Sequence, residues 1–93
     1  MMEYHVVSLY KYALIENPDA LVHTLKRACS RHNILGRILI SKEGINAAFS
    51  GTEKETEALK TLFKELFLGI TFREQSTEKQ AYHKLVIRVR KEV

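Results

Sequence analysis

The sequence predicts an α+β fold in which two amphipathic helices cover one face of a β-sheet. Two patterns support this fold class. Short segments rich in β-branched and aromatic residues alternate along the chain with two segments whose apolar residues recur at helical spacing. The 93 residues contain no internal repeat and no linker rich in proline or glycine. We therefore expect one domain over residues 1–93, which is long enough to bury its own core.

The chain opens with a predicted strand and helix. Residues 4–12 are mostly β-branched and aromatic, which favours a strand. Asn17 is a good helix cap, and Pro18 suits the first helical position. The apolar residues between positions 21 and 29 then line one face of a helix. Because this face includes Cys29, we expect the single cysteine to be a buried core residue and not a nucleophile.

A β-hairpin is predicted next. Residues 35–41 and 45–50 are two apolar segments of strand length, separated by a short polar stretch. The sequence Lys42-Glu43-Gly44 in that stretch is typical of a turn, in which Gly44 is free to adopt positive φ.

The second helix begins with a capping signature. Thr52 and Glu55 have the spacing of a capping box. Apolar residues then recur on one side between positions 59 and 67, and Gly69 is predicted to end the helix.

Two further strands complete the chain. Residues 70–74 predict a short strand, 75–82 a polar loop, and 85–90 a last strand with alternating side chains. The resulting order is β-α-β-β-α-β with an extra short strand before the last. This order predicts a ferredoxin-like, or acylphosphatase-like, sandwich. We expect an antiparallel sheet with both helices on one face and the other face open.

The open face is predicted to combine aromatic and cationic side chains. If Val7 and Leu9 point toward the helices, the opposite side of the first strand presents its tyrosines, and the last strand adds Arg88 and Arg90. Such a face is suited to nucleic acid or to docking of another domain, or it is simply solvated. The net charge of +4 permits an anionic partner without requiring one.

The residues suggest no catalytic or metal centre. No two of the four histidines have metal-ligand spacing, and a second cysteine is missing. Acylphosphatases bind phosphate in a glycine-rich first loop that ends in arginine, whereas residues 13–17 here contain neither glycine nor arginine. The alternating aromatic signature of the RNA-recognition motif is also missing from the third strand.

Three segments together resemble a known family. Residues 36–46 read Gly-Arg-Ile-Leu-Ile-Ser-Lys-Glu-Gly-Ile-Asn, residues 50–52 read Ser-Gly-Thr, and residues 83–93 read His-Lys-Leu-Val-Ile-Arg-Val-Arg-Lys-Glu-Val. In this combination the chain resembles the N-terminal domain of the bacterial rhodanese-related, oxygen-dependent tRNA uridine hydroxylases. These enzymes form 5-hydroxyuridine at the wobble position.

The resemblance implies that this chain and the catalytic domain are different parts of a longer protein. This chain would be the N-terminal fragment of an oxidoreductase, and the rhodanese-like domain that holds the catalytic cysteine would be absent. The 93 residues alone would then contain no catalytic residue and need no cofactor, and their role would be to engage tRNA or to support the catalytic domain.

Two groups of residues are candidates for this role. The expected electrostatic contacts to RNA are the cations Arg37, Lys42, Arg88, Arg90 and Lys91. The hairpin motif contributes Glu43, Gly44 and Asn46, whose polar groups either stabilise the turn or contact tRNA.

A different interpretation is a stand-alone ferredoxin-like module that associates through its open face or a sheet edge. The sequence does not determine the oligomeric state. The chain has no segment long and apolar enough to span a bilayer and no recognisable signal peptide, so we expect a cytoplasmic protein.

Overall fold

The computed structural model describes residues 3–91. Glu92 and Val93, which end the third family-like segment, lie outside the described residues. The described part forms five strands and two helices in the predicted order. They are β1 (Tyr4–Tyr12), α1 (Pro18–Arg31), β2 (Leu35–Ser41), β3 (Gly44–Thr52), α2 (Glu53–Leu66), β4 (Arg73–Thr77) and β5 (Leu85–Val89).

The strands form one sheet in the order β4-β1-β3-β2-β5. This arrangement confirms the ferredoxin-like α+β class. The expectation of a wholly antiparallel sheet was wrong at one pair, because β5 lies parallel to β2. The short strand β4 takes the fourth ferredoxin-like position beside β1, so β5 is the added edge strand.

Strand β4 lies three residues later than predicted, at 73–77 instead of 70–74. Ile70 is apolar because it packs into the core just after α2, and not because it belongs to a strand. The strand itself is almost entirely exposed. An exposed edge strand has no buried face to impose an apolar pattern, so its position is determined by pairing with β1. The polar loop that follows therefore spans residues 78–84.

Both helices begin at the predicted caps. The Asn17 side chain accepts a hydrogen bond from the Ala20 amide, and Thr52 and Glu55 form a complete capping box. Helix α2 ends at Leu66, three residues before Gly69, which adopts a φ of 76° in the following turn.

The core lies between the helices and one face of the sheet. Phe63 of α2 stacks on Phe49 of β3 with ring centroids 5.8 Å apart. Val7 and Leu9 are buried on this side of β1, which confirms their predicted orientation. Cys29 is fully buried, and burial raises the pKa of its thiol to about 12, so it is a core residue as predicted.

Gly44 is not in the turn but is the first residue of β3, with a φ of 159°. A Cβ atom at this position would lie 2.3 Å from the backbone oxygen of Lys11 in β1. The glycine therefore permits close approach of two strands, and the turn consists of Lys42 and Glu43.

The sheet surface opposite the helices is here called the open face, and it presents Ser8, Tyr10, Arg37, Leu39, Asn46, Ala48 and Arg88. The loop 78–84 crosses from the β4 edge to the β5 edge, and Gln80 in it donates a hydrogen bond to the Ser50 carbonyl of β3. No helix within residues 3–91 has both the length and the apolar character needed to cross a membrane.

Candidate nucleic-acid interface

The open face carries a row of four residues with different chemistry. Tyr10 pairs with Asn46, Asn46 with Leu39, and Leu39 with Arg88 across four adjacent strands. Neighbouring strands lie about 4.8 Å apart. The row therefore places an aromatic ring, an amide, an apolar side chain and a guanidinium on one surface.

A second row adds cations at separate points of the same face. It runs across all five strands in the order Arg73, Ser8, Ala48, Arg37 and Val86. Both Arg37 and Arg73 are exposed. The side chains between them, Ser8 and Ala48, are small.

Tyr10 and Tyr12 form an aromatic pair at one end of the open face. Their ring centroids lie 5.1 Å apart in an edge-to-face arrangement, and both rings are substantially exposed. The pKa of Tyr10 is raised above its usual value, first by a side-chain hydrogen bond with Tyr12, then by desolvation and by electrostatic interactions with Tyr12 and Glu43. A hydrogen bond thus links the two phenols at this end of the open face.

A groove of about 400 Å³ borders this pair. Its lining includes Tyr10 and Asn46 from the row, together with Thr71, Phe72 and Arg73 from the segment that enters β4. The groove therefore combines hydrogen-bond donors with aromatic side chains. Arg73 was missed by sequence reasoning because only the pairing of β4 with β1 brings it to this face.

The five predicted RNA-contacting cations are all exposed. Arg37 and Arg88 lie on the open face itself. Lys42, in the β2–β3 turn, and Arg90, whose amide donates to the Ile40 carbonyl, both lie at the hairpin end of the sheet, and Lys91 directly follows Arg90. The structure thus places one pair on the face and a second group at its end.

The hairpin residues divide into structural and exposed groups. Glu43 is held through its backbone, because its amide donates to Ser41 Oγ and its carbonyl accepts from the Ala13 amide. Gly44 is buried at the β1 contact. Asn46 is the member whose side chain is presented on the open face.

A second basic surface lies on α1. Lys26, Arg27 and Arg31 are exposed along this helix and line a shallow depression with Ser30. Among the described residues, no aromatic side chain lines that depression. This surface offers charge alone, whereas the open face combines charge with rings and an amide.

His5 lies in a cluster of charged groups on the helix-bearing side of β1. Its Nδ1 atom lies 2.7 Å from a Glu74 carboxylate oxygen, and its Nε2 atom lies 3.2 Å from Glu3 and 3.7 Å from Glu53. The potential ligand atoms of Glu3, His5 and Glu53 all lie within 4.8 Å of one another. Sequence spacing gave no sign of this cluster, because Glu53 and Glu74 are far from Glu3 and His5 in the chain.

Lys60 extends this cluster along α2. Burial alone would lower the pKa of Lys60, but hydrogen bonds to Glu57 and Glu74 raise it overall. The same hydrogen bond from Lys60 lowers the pKa of Glu74 against the opposing effect of burial, with a further contribution from His5. These contacts form an ion-pair network that ties β4 to β1 and α2.

Comparison with known proteins identifies the family. Residues 4–93 match the UPF0176 acylphosphatase like domain. The chain belongs to this family. Curated relatives from Staphylococcus aureus strains JH9 and N315 are 37% identical over 94 residues, which cover 99% of this chain. They carry the name tRNA uridine(34) hydroxylase. The chain spans 30% of the length of these relatives.

Solved structures agree on the fold of this UPF0176 domain. A BlrP1 BLUF structure aligns over 96% of the chain and 64% of its own length, with a TM-score of 0.71 and 17% identity. An acylphosphatase from Coxiella burnetii aligns over 94% of both chains, with a TM-score of 0.65 and 8% identity. At these identities the likeness concerns the fold.

The first loop of the UPF0176 domain is organised differently from a phosphate-binding loop. The amide of Ala13 donates to the Glu43 carbonyl, and the amide of Ile15 donates to the Lys42 carbonyl. Two backbone donors of the loop are therefore used by the hairpin. Residues 13–17 also contain neither the glycine nor the arginine that is typical of the acylphosphatase phosphate loop.

Proposed function

We propose that this chain is the substrate-engaging domain of a tRNA uridine hydroxylase and contacts tRNA through its open face. The observation that carries the proposal is the row of Tyr10, Asn46, Leu39 and Arg88 on an exposed sheet surface, with Arg37 in the adjacent row. The 37% identity to proteins named tRNA uridine(34) hydroxylase supports the choice of RNA.

The chemistry of the open face suits the single-stranded part of an RNA. Unpaired bases stack on aromatic rings and accept hydrogen bonds from amides, while arginines neutralise the phosphates between them. Tyr10, Asn46 and Arg37 offer these three kinds of contact on one surface. The basic surface of α1 offers phosphate contacts alone, so it is the weaker candidate.

Catalysis belongs, in this proposal, to the part of the relatives that the chain does not span. The resemblance assigns the catalytic cysteine to a rhodanese-like domain, and Cys29 is fully buried with a raised pKa. The domain described here would bind RNA without a cofactor of its own. A tRNA substrate also agrees with the expected cytoplasmic location.

The test is the salt dependence of binding to a fluorescently labelled anticodon stem-loop with uridine at the wobble position. Each phosphate contact contributes about 0.7–0.9 to the slope of log affinity against log salt concentration. We expect the double variant Arg37→Gln/Arg88→Gln to lower that slope by about 1.5. The matched control is Lys26→Gln/Arg27→Gln, which removes the same charge from α1 and should leave the slope close to that of the wild type.

Two results would refute this function. One is failure of the wild-type chain to bind the stem-loop more tightly than it binds polyphosphate of the same charge. The other is an equal loss of slope in both double variants, which would show that the RNA responds to net charge and not to the open face. A tight homodimer in light scattering would instead favour an oligomerisation module.

A further inference from the structure

We propose that a cavity between the crossing loop and the β2–β5 edge binds a single unpaired nucleotide of the RNA through its base. The cavity has a volume of about 280 Å³ and is lined by Gly36, Arg37, Ala81, Tyr82, His83, Lys84 and Val86. The inference rests on the proposed RNA contact and assigns part of it to residues outside the predicted set.

The cavity is held in shape by two anchors of the loop 78–84. On one side, the Gln80 side chain donates to the Ser50 carbonyl and accepts from the Tyr82 amide. On the other side, the Lys84 carbonyl accepts from the Gly36 amide. The segment between Gln80 and Lys84 therefore lines the cavity opposite residues of β2 and β5. Because the loop is already held in place in the free protein, ligand binding costs less conformational entropy.

The lining has the composition of a nucleotide site. Tyr82 is half-buried and supplies an aromatic wall, and Val86 and Ala81 add apolar surface on which a base can stack. The charged or titratable side chains besides Tyr82 in the lining are Arg37, His83 and Lys84, and none of the described lining residues is acidic. This charge is complementary to a phosphate next to the stacked base.

The size and position of the cavity further restrict which ligand can bind there. The volume of about 280 Å³ lies just below the usual range for ligand sites, about 300–1,000 Å³, which limits the occupant to one base-sized group. Arg37 lines the cavity and also belongs to the second row of the open face. A single strand of RNA that crosses the open face therefore passes the opening of the cavity, where one nucleotide can insert its base.

The experiment compares two probes of equal charge, labelled oligouridine and an oligomer of abasic ribose phosphates of the same length. We expect the wild-type chain to prefer oligouridine. Tyr82→Leu keeps an apolar side chain but removes the ring, and we expect it to reduce that preference by about fivefold or more. Tyr82→Phe keeps the ring and should retain the preference for oligouridine. Amide NMR spectra of each ¹⁵N-labelled variant verify that it is folded.

The outcomes separate this inference from the proposed function. If the wild type prefers oligouridine, Arg37→Gln/Arg88→Gln weakens both probes and Tyr82→Leu keeps the full preference, the open-face contact stands and the base site is refuted. If Tyr82→Leu and Tyr82→Phe lose the preference equally, the ring is not the base contact and the inference is also overturned. If the folded wild type binds neither probe, both proposals fail.

Discussion

Replacing Gly44 by alanine tests whether the glycine of the hairpin motif is required for the close contact between β3 and β1. The new Cβ would lie 2.3 Å from the Lys11 oxygen and 3.2 Å from the Tyr12 Cα atom. Both neighbours are backbone atoms, so neither can rotate away. The hairpin would have to separate from β1, which also weakens the hydrogen bond from Ala13 to the Glu43 carbonyl.

The expected loss combines overpacking with weakened hydrogen bonds and amounts to about 2–4 kcal/mol of unfolding free energy. The matched control is Gly69→Ala. Gly69 has a φ of 76°, but a methyl group there would meet none of the described residues within 4 Å. The Gly69→Ala variant should therefore lose about 1–2 kcal/mol of unfolding free energy through backbone strain alone. Urea unfolding followed by circular dichroism measures both variants. A cost at Gly44 no greater than the cost at Gly69 would refute the close-contact explanation.

Three further predictions concern the cap, the ion-pair network and the core cysteine. Thr52→Ala removes the capping-box acceptor and should cost about 1 kcal/mol in thermal unfolding, whereas Thr61→Ala in the middle of α2 should cost less than half of that. The pKa of Glu74 is lower in the folded state than its ordinary value of 4.5. Its contribution to the unfolding free energy is therefore present above pH 4.5 and is lost as the pH falls through the folded-state pKa. The stability difference between wild type and Glu74→Gln should follow that course in urea titrations, and a difference that is constant with pH would contradict the network. Cys29 should react with a thiol reagent at pH 8 only as fast as the domain unfolds, and rapid labelling of the native chain would contradict its burial.

The helices and the core were predictable because local signals specify them. The caps at Asn17 and Thr52 and the apolar faces behind them are contained within a few neighbouring residues. The alternation along β1 left two orientations open, and the structure confirms the one in which Val7 and Leu9 face the helices. These features indicate the fold class without knowledge of long-range pairing.

The remaining features depend on residues that are distant in sequence. The parallel pairing of β2 with β5 and the position of β4 are set by neighbours across the sheet, and both departed from the predicted arrangement. For the same reason the sequence did not reveal Arg73 on the open face or the proximity of His5 to Glu74. Arg37 and Arg88 were named as RNA contacts from sequence, and their role stays a prediction.

The most direct test of the proposed function is the map of amide shifts when the anticodon stem-loop is added to the ¹⁵N-labelled chain. We expect the largest shifts at Tyr10, Arg37, Asn46 and Arg88 on the open face. Shifts concentrated on α1 at Lys26, or spread evenly over the surface, would contradict the assignment of RNA binding to this face.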